Sequence, residues 1–99
     1  MEDSRIGFIG IVLEDMNSAP AVNRIVGEYQ DMVTGRIGVP DHENSHAVIG
    51  LIVSGDILRL GAFTGRLGNI PGVTVKSAVT KAKYAKEAKE AKERKGEQG

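Results

Sequence analysis

The chain has 99 residues, with 13 basic and 13 acidic side chains, two histidines and no cysteine. This length corresponds to a single domain with a small core. The absence of cysteine excludes disulfides and thiolate metal sites, and two histidines do not suffice for a dedicated metal cage. No apolar run approaches the roughly 20 residues that cross a bilayer, and Met1–Arg5 is acidic where a signal peptide is basic. The sequence therefore favours the cytoplasm, without membrane association.

The charge is unevenly distributed along the chain. Residues 1–80 carry six basic and nine acidic side chains, a net charge of −3, whereas residues 81–99 carry seven and four, a net charge of +3. We therefore predict a domain over residues 1–80 and a Lys/Ala/Glu-rich tail, helical or disordered, over residues 81–99. The acidic body has no basic face, which disfavours binding to nucleic acid.

The first two elements are predicted from hydrophobic periodicity. Arg5–Leu13 is apolar on both faces, which indicates a strand at the centre of a sheet. Ser18 is a suitable N-cap and Pro20 fits the first turn, so a helix should extend from there to about Asp31. Its apolar stripe consists of Val22, Ile25, Val26 and Tyr29.

A hairpin should follow this helix. Met32–Val39 reads as a strand in which Val33, Gly35 and Ile37 share one face, and the polar segment 40–45 reads as a turn. His46–Val53 is apolar on both faces, so it should lie beside Arg5–Leu13 at the centre of the sheet.

A second helix and an edge strand complete the pattern. Ser54 or Asp56 should cap the helix, and Gly61 and Gly65 could let it approach the sheet closely. Gly68 is predicted to end the helix in the left-handed conformation. Its buried face should consist of Ile57, Leu60, Phe63, Thr64 and Leu67. The more polar alternation of residues 72–80 is typical of an edge strand.

The element order is therefore βαββαβ. This order predicts an α+β, ferredoxin-like fold with a four-stranded antiparallel sheet and both helices on one face.

Two helices can cover only one face of such a sheet. We expect Ile9, Ile11, Leu13, Ile49, Leu51 and Val53 beneath them. The uncovered face should carry Phe8, Val12, Val48 and Ile52 around Gly10 and Gly50. Because an apolar patch of this kind is unfavourable in water, we predict a homo-oligomer, a dimer or a tetramer, with these residues in its interface. The alternative cover is the tail, which lacks an apolar stripe. The glycine pair indicates either tight packing between subunits or a notch for a small ligand.

Candidate catalytic groups are sparse. His42 and His46 fall in and beside a turn, so they read as surface histidines, with a metal site shared between subunits as the alternative. Glu14 and Asp15 are adjacent in an extended segment and point apart. The segment 65–69 resembles a phosphate loop in composition only, because a helix precedes it and a strand follows. No spacing suggests a nucleophile and its base. We therefore expect no enzymatic activity, no cofactor and no metal.

One loop does suggest a ligand. The segment 14–18 joins a central strand to the first helix, whose N-terminal N–H groups are free. Asn17 and Ser18 could bind a small polar effector there, beside a subunit boundary. The alternative is that they only cap the helix.

Three blocks of sequence resemble the family of iron-only hydrogenase system regulators. They are residues 5–12 (RIGFIGIV), 35–40 (GRIGVP) and 64–73 (TGRLGNIPGV), and the resemblance covers roughly residues 5–80. It implies an ACT-like, ferredoxin-like fold related to the C-terminal regulatory domain of nickel-responsive repressors. It also implies a small regulatory domain that oligomerises, senses a ligand and acts in hydrogenase production or maturation. The family relationship transfers no metal ligands, because the His/Cys set of the repressors is not reproduced, and no DNA-binding segment accompanies the match.

Two functions follow from these observations. The first is a homo-oligomeric, ligand-sensing regulatory domain without catalysis. The alternative is a structural adaptor that binds a protein partner, or weakly nucleic acid, through the basic tail.

Overall fold

The computed structural model describes residues 3–80. The strands are β1 (Ser4–Leu13), β2 (Val33–Asp41), β3 (His46–Asp56) and β4 (Val73–Val79), and the helices are α1 (Ala19–Glu28) and α2 (Ile57–Gly68). A short 3-10 turn precedes α1 at Met16–Ser18, and a second follows it at Gln30–Met32. The predicted tail, residues 81–99, lies outside the described residues.

The strands form one antiparallel sheet in the order β2-β3-β1-β4. The sequence prediction of a four-stranded, ferredoxin-like sheet is confirmed, as is the central position of β1 beside β3. These two strands pair along ten residues, from Ser4 opposite Asp56 to Leu13 opposite Ala47. The strands β2 and β4 form the two edges.

The core lies between the sheet and the two helices. The six strand residues expected beneath the helices, Ile9, Ile11, Leu13, Ile49, Leu51 and Val53, are all buried. From α1 the core receives Val22, Ile25 and Val26, and from α2 Leu60, Phe63 and Leu67. Two predicted members of the α2 stripe, Ile57 and Thr64, are only half-buried because they lie at its margins.

The two helices begin differently. Asp56 caps α2, since its carboxylate accepts hydrogen bonds from the backbone N–H groups of Leu58 and Arg59 at 3.1 and 3.2 Å. Of the two caps considered, Asp56 is therefore the one used. Ser18 occupies the N-cap position of α1 but does not cap it with its side chain, because its hydroxyl donates to the carbonyl oxygen of Pro71 instead.

Three glycine predictions were wrong. Helix α2 ends at Gly68 and is followed by the C-cap residue Asn69 in a right-handed conformation. The left-handed glycine is Gly72, with φ of 77°. Gly61 and Gly65 do not bring α2 closer to the sheet, because both are exposed and a Cβ built on either would meet no atom within 4 Å.

A bulge near the start of β2 changes which of its residues share a face. Val33 lies opposite Val53 but Gly35 lies opposite Ile52, so Thr34 is an extra residue in the strand. Its hydroxyl donates to the carbonyl oxygen of Ile52 at 3.2 Å. Val33 therefore packs against the core, whereas Gly35 and Ile37 lie on the opposite face, contrary to the prediction that all three share one face.

Candidate functional site

The face of the sheet opposite the helices, here called the open face, is apolar over three of its four strands. It carries six exposed apolar residues, each with a relative accessibility between 36% and 65%: Phe8, Val12, Ile37, Val39, Val48 and Ile52. Phe8, Val12, Val48 and Ile52 lie on the face expected from the sequence. Ile37 and Val39 are two further residues of this face. After the bulge at Thr34 they pair with Gly50 and Val48, whose side of the sheet is the open face.

The strand register arranges the open face in three rows that cross the sheet from β2 to β4. The first row is Val39, Val48, Val12 and Thr74; the second is Ile37, Gly50, Gly10 and Lys76; the third is Gly35, Ile52, Phe8 and Ala78. Gly10 and Gly50 are thus direct partners at the centre of the face. Among the side chains of these rows, only that of Lys76 is charged, and it stands at the β4 edge.

The ring of Phe8 leans from the third row over the glycine pair. A Cβ built on Gly50 would lie 2.9 Å from both Cε1 and Cζ of Phe8, and 3.3 Å from Cγ2 of Ile37. A Cβ built on Gly10 would lie 3.4 Å from Cε2 of Phe8. Glycine at position 50 therefore leaves room for an aromatic ring of the same chain, an arrangement that covers exposed backbone with apolar surface.

A groove of about 280 Å³ lies on the other side of the glycine pair. The ring of Phe8 forms one wall and the first-row valines form the other. Ile37 closes it at the β2 edge, and Thr74 and Lys76 line it at the β4 edge. Lys76 and Thr74 belong to a strand read as a polar edge, and no pattern in the sequence indicates that they border an apolar groove.

The predicted effector residues of the 14–18 loop lie apart from this groove. Asp15 accepts a hydrogen bond from the backbone N–H of Asn17 at 3.0 Å, and the Asn17 side chain is exposed. Ser18 is buried against the turn that contains Pro71 and Gly72. The structure therefore leaves Asn17 accessible and engages the Ser18 hydroxyl within the fold, and the ligand role of both residues stays a prediction.

The polar end of the open face is formed by the β2–β3 turn. Asp41 and His46 face each other as the last partners of β2 and β3. The pKa of Asp41 is lowered, chiefly because the side-chain amide of Asn44 donates to its carboxylate at 2.9 Å. Over residues 3–80, no three His, Cys, Asp or Glu side chains are grouped so that they could hold a metal ion.

The remaining candidate motif is part of a helix. Residues 65–68 form the last turn of α2, so the backbone N–H groups there bond within the helix and do not form a phosphate-binding loop. Arg66 instead pairs with Glu28 of α1. Among the helices of the described segment, none is long and apolar enough to cross a bilayer.

The fold defines the class of protein: a ferredoxin-like domain with an ACT-like arrangement of strands and helices. Two solved structures of this type are similar to the chain. One is the ACT domain from GTP pyrophosphokinase of Chlorobium tepidum, at 18% identity, with a TM-score of 0.60 over 77% of this chain and 88% of that one. The other is CPII from Thiomonas intermedia K12, a nitrogen regulatory PII-like protein, at 12% identity, with a TM-score of 0.50 over 77% and 89%. Both are below 25% identity and establish the fold alone.

A family model places the chain more narrowly. The TM1266-like model, described as "Iron-only hydrogenase system regulator, putative", matches residues 5–77, and the chain belongs to this family. The uncharacterized protein TM1266 from Thermotoga maritima is 34% identical, with a TM-score of 0.73 over 79% of this chain and 99% of that one. The comparison with curated proteins gave no match. The resemblance identified from the sequence is confirmed.

Proposed function

We propose that this chain is a non-catalytic regulatory domain of an iron-only hydrogenase system, located in the cytoplasm, that acts as a homo-oligomer and responds to a small-molecule effector. Membership of the regulator family supports the hydrogenase role. The description of the same family as regulators supports a regulatory domain in place of an enzyme. The oligomer, a dimer or a tetramer, is supported by the open face.

The observation that carries the proposal is the contrast between the two faces of the sheet. The helices bury one face almost completely, whereas the six apolar residues of the open face stay between 36% and 65% accessible. Burying an apolar side chain of this size stabilises by about 1.5–3 kcal/mol, and contiguous exposed apolar patches mark interaction sites. A second copy of the chain supplies such a cover, with Phe8, Val12, Val48 and Ile52 in the interface.

The test is the mass of the chain in solution, measured by size-exclusion chromatography with light scattering at low micromolar concentration. Val48→Glu places a charge in the middle of the open face and should yield a monomer. Leu58→Glu is the matched control, because Leu58 is 79% exposed on α2, away from the open face, and should leave the oligomer intact. A Val48→Glu variant that keeps the wild-type mass would refute the sheet-face oligomer.

The effector is proposed to bind at Asn17 and Ser18, or at the glycine pair Gly10 and Gly50. Asn17 is supported by its exposed side chain beside the start of α1, and Gly10 by the groove that it lines. A thermal-shift screen with amino acids, nucleotides and metal ions tests this. A hit at the loop should be lost in Asn17→Ala, and a hit at the groove should be lost in Gly10→Leu.

The second candidate, an adaptor acting through residues 81–99, is favoured by the opposite net charges of the body and the tail. A screen in which no compound raises the melting temperature, combined with loss of partner binding in a chain ending at Thr80, would favour the adaptor. DNA binding that is salt-sensitive and lost in the same truncation would instead indicate a nucleic-acid arm.

A further inference from the structure

The open face has one projecting aromatic ring and one groove, and both are apolar. The ring of Phe8 rises over the glycine pair from the third-row side, and the groove lies on the first-row side of the same pair. The groove is apolar, because its walls are the ring, the first-row valines and Ile37. Its volume, about 280 Å³, is large enough for an aromatic ring.

We propose that a second copy of the chain inserts its Phe8 ring into this groove, and that the first copy does the same in return. The two-fold axis then runs across the strands, in the plane between the two sheets, through the pair Gly10 and Gly50. This inference rests on the proposed homo-oligomer and specifies its geometry. In the assembled dimer it leaves the loop at Asn17 and Ser18, and not the glycine pair, as the proposed effector site. An interface of this kind is isologous, with the same patch used by both subunits.

The row pattern supports this axis. A two-fold rotation about an axis across the strands places the third row of one copy over the first row of its partner. Phe8 then faces Val12, Ile52 faces Val48, and the small residue Gly35 faces Val39. Each contact is apolar, and the ring fills the depression, as close packing between buried surfaces requires.

A two-fold axis parallel to the strands fits less well. It places each row of one copy over the same row of the other, so that the groove of one copy faces the groove of the other. Two facing grooves leave an unfilled apolar volume, which forfeits the packing contacts of its lining. The two Phe8 rings also stay outside the grooves in that arrangement.

The position of Lys76 distinguishes the two possible axes. Lys76 lies in the second row, which the proposed axis follows, so the two Lys76 residues meet across the interface at the β4 edge. Their long side chains can reach solvent there while their stems stay on apolar surface. An axis parallel to the strands and centred on β3, within the apolar patch, would instead set the two Lys76 residues far apart.

Single-cysteine variants test the orientation without background, because the chain has no cysteine. Packed sheets lie about 10 Å apart, so a bis-maleimide of that span bridges residues that face their own copies. Lys76→Cys should be cross-linked to a dimer. Val48→Cys should not be cross-linked. Its two thiols would lie two rows apart, about 13 Å along the strands, in addition to the distance between the sheets. Leu58→Cys on α2 is the control for collision in solution.

Three outcomes are distinguishable. Cross-linking of Lys76→Cys above the Leu58→Cys background supports the proposed axis. Cross-linking of Val48→Cys without Lys76→Cys overturns it while leaving the homo-oligomer standing. A wild-type chain that is monomeric by light scattering refutes both the oligomer and this geometry.

Filling the groove is an independent test. Gly10→Ala adds a methyl group to the groove floor, and the isolated subunit accommodates it, because the nearest atom, Cε2 of Phe8, would be 3.4 Å away. Gly38→Ala is the matched control on the helix side of β2, where the nearest atom would be 4.0 Å away. We expect Gly10→Ala to raise the dimer dissociation constant about tenfold or more, measured by analytical ultracentrifugation. Equal dissociation constants for the two variants would overturn the insertion of the ring.

Discussion

Phe8 links the stability of one subunit to the shape of its open face. Its ring lies over Gly50, where any side chain would meet it at 2.9 Å. The contact runs diagonally across two strands, since the direct partner of Phe8 is Ile52 and that of Gly50 is Gly10. Such diagonal neighbours are within reach of an aromatic side chain. The ring therefore covers the backbone at the centre of the sheet and at the same time forms one wall of the groove.

Gly72 is the position where a residue-scale substitution should be most informative. Its φ of 77° is unfavourable for other residues, and an added Cβ would lie 2.9 Å from Cβ of Asp15. Gly72→Ala should lower the free energy of unfolding by about 1–3 kcal/mol. Gly68→Ala is the control, because its Cβ would meet nothing within 4 Å at the end of α2, and it should be neutral or stabilising by up to about 1 kcal/mol. Urea denaturation at one protein concentration measures both, and equal losses would contradict this assignment.

The sequence could not decide between these two glycines. Gly68 follows an amphipathic helical pattern, which is where a left-handed glycine commonly stands. The helix instead ends without one, and the tight turn falls four residues later, beside Asp15 and Ser18. The same turn provides the Pro71 carbonyl that accepts the Ser18 hydroxyl. Both outcomes depend on a contact between segments more than 50 residues apart, which local patterns do not contain.

At the scale of elements, the two helices are joined by a cluster of aromatic and charged side chains. Tyr29, at the end of α1, stacks on Phe63 of α2 with ring centroids 4.6 Å apart. The guanidinium groups of Arg59 and Arg66 lie 5.5 and 5.7 Å from the centroid of the Tyr29 ring, within the range of a cation–π contact. The two arginines also pair with carboxylates that follow or end α1: Arg59 with Asp31, and Arg66 with Glu28.

These ion pairs predict how stability depends on pH. Hydrogen bonds from Arg66 and Arg59 lower the pKa of Glu28 and of Asp31 below their ordinary values of 4.5 and 3.8. A carboxylate whose pKa is lowered in the folded state stabilises above its ordinary value and loses that contribution as pH falls through the lowered one. The double variant Glu28→Gln/Asp31→Asn should therefore melt below the wild type at pH 7. The difference should begin to close as pH falls below 4.5.

The size of this effect should be modest, since all four side chains are exposed and such pairs are screened by salt. Glu43→Gln is the control, because Glu43 lies in the exposed β2–β3 turn and has no ion pair within residues 3–80. It should leave the melting temperature unchanged across the same pH range. A gap between wild type and the double variant that stays constant down to pH 2 would contradict the ion-pair contribution.

Most of the elements could be predicted from hydrophobic periodicity alone, and the exception is the facing of β2. Strands β1 and β3 are apolar on both parities, and each helix has a clear stripe, so both their type and their order follow from the sequence. Strand β2 was assigned correctly, but its facing was not, because Thr34 adds a residue to the strand. A one-residue shift moves every following side chain to the other face. The sequence prediction assigned neither Ile37 nor Val39 to the open face, and the register after the bulge places both of them there.

At the scale of the whole molecule, the candidate site could be predicted because the two helices cover only one face of the sheet. A sheet whose central strands are apolar on both faces, with helices on one, leaves an uncovered face, and the sequence predicted four of its six apolar side chains. The sequence could not predict the shape of that face, with its projecting ring and its groove. The groove exists because the Phe8 ring leans over Gly10 of its own strand and Gly50 of the neighbouring strand, and the direction in which a side chain leans is set by packing.

The homo-oligomer predicts that thermal stability depends on protein concentration. If folded copies are associated and unfolded ones are not, association stabilises the fold by mass action. For a dimer in which residues 3–80 of each chain unfold, each tenfold increase in concentration should raise the melting temperature by about 4 °C, from unfolding entropies of about 2.1 cal/mol/K per residue. Phe8→Glu removes the ring and adds a charge to the open face, so its melting temperature should be independent of concentration. Leu58→Glu, on the helix side, should keep the wild-type slope. Calorimetry over a hundredfold concentration range measures all three, and a flat wild-type response would leave the open face exposed to water and the oligomer without support.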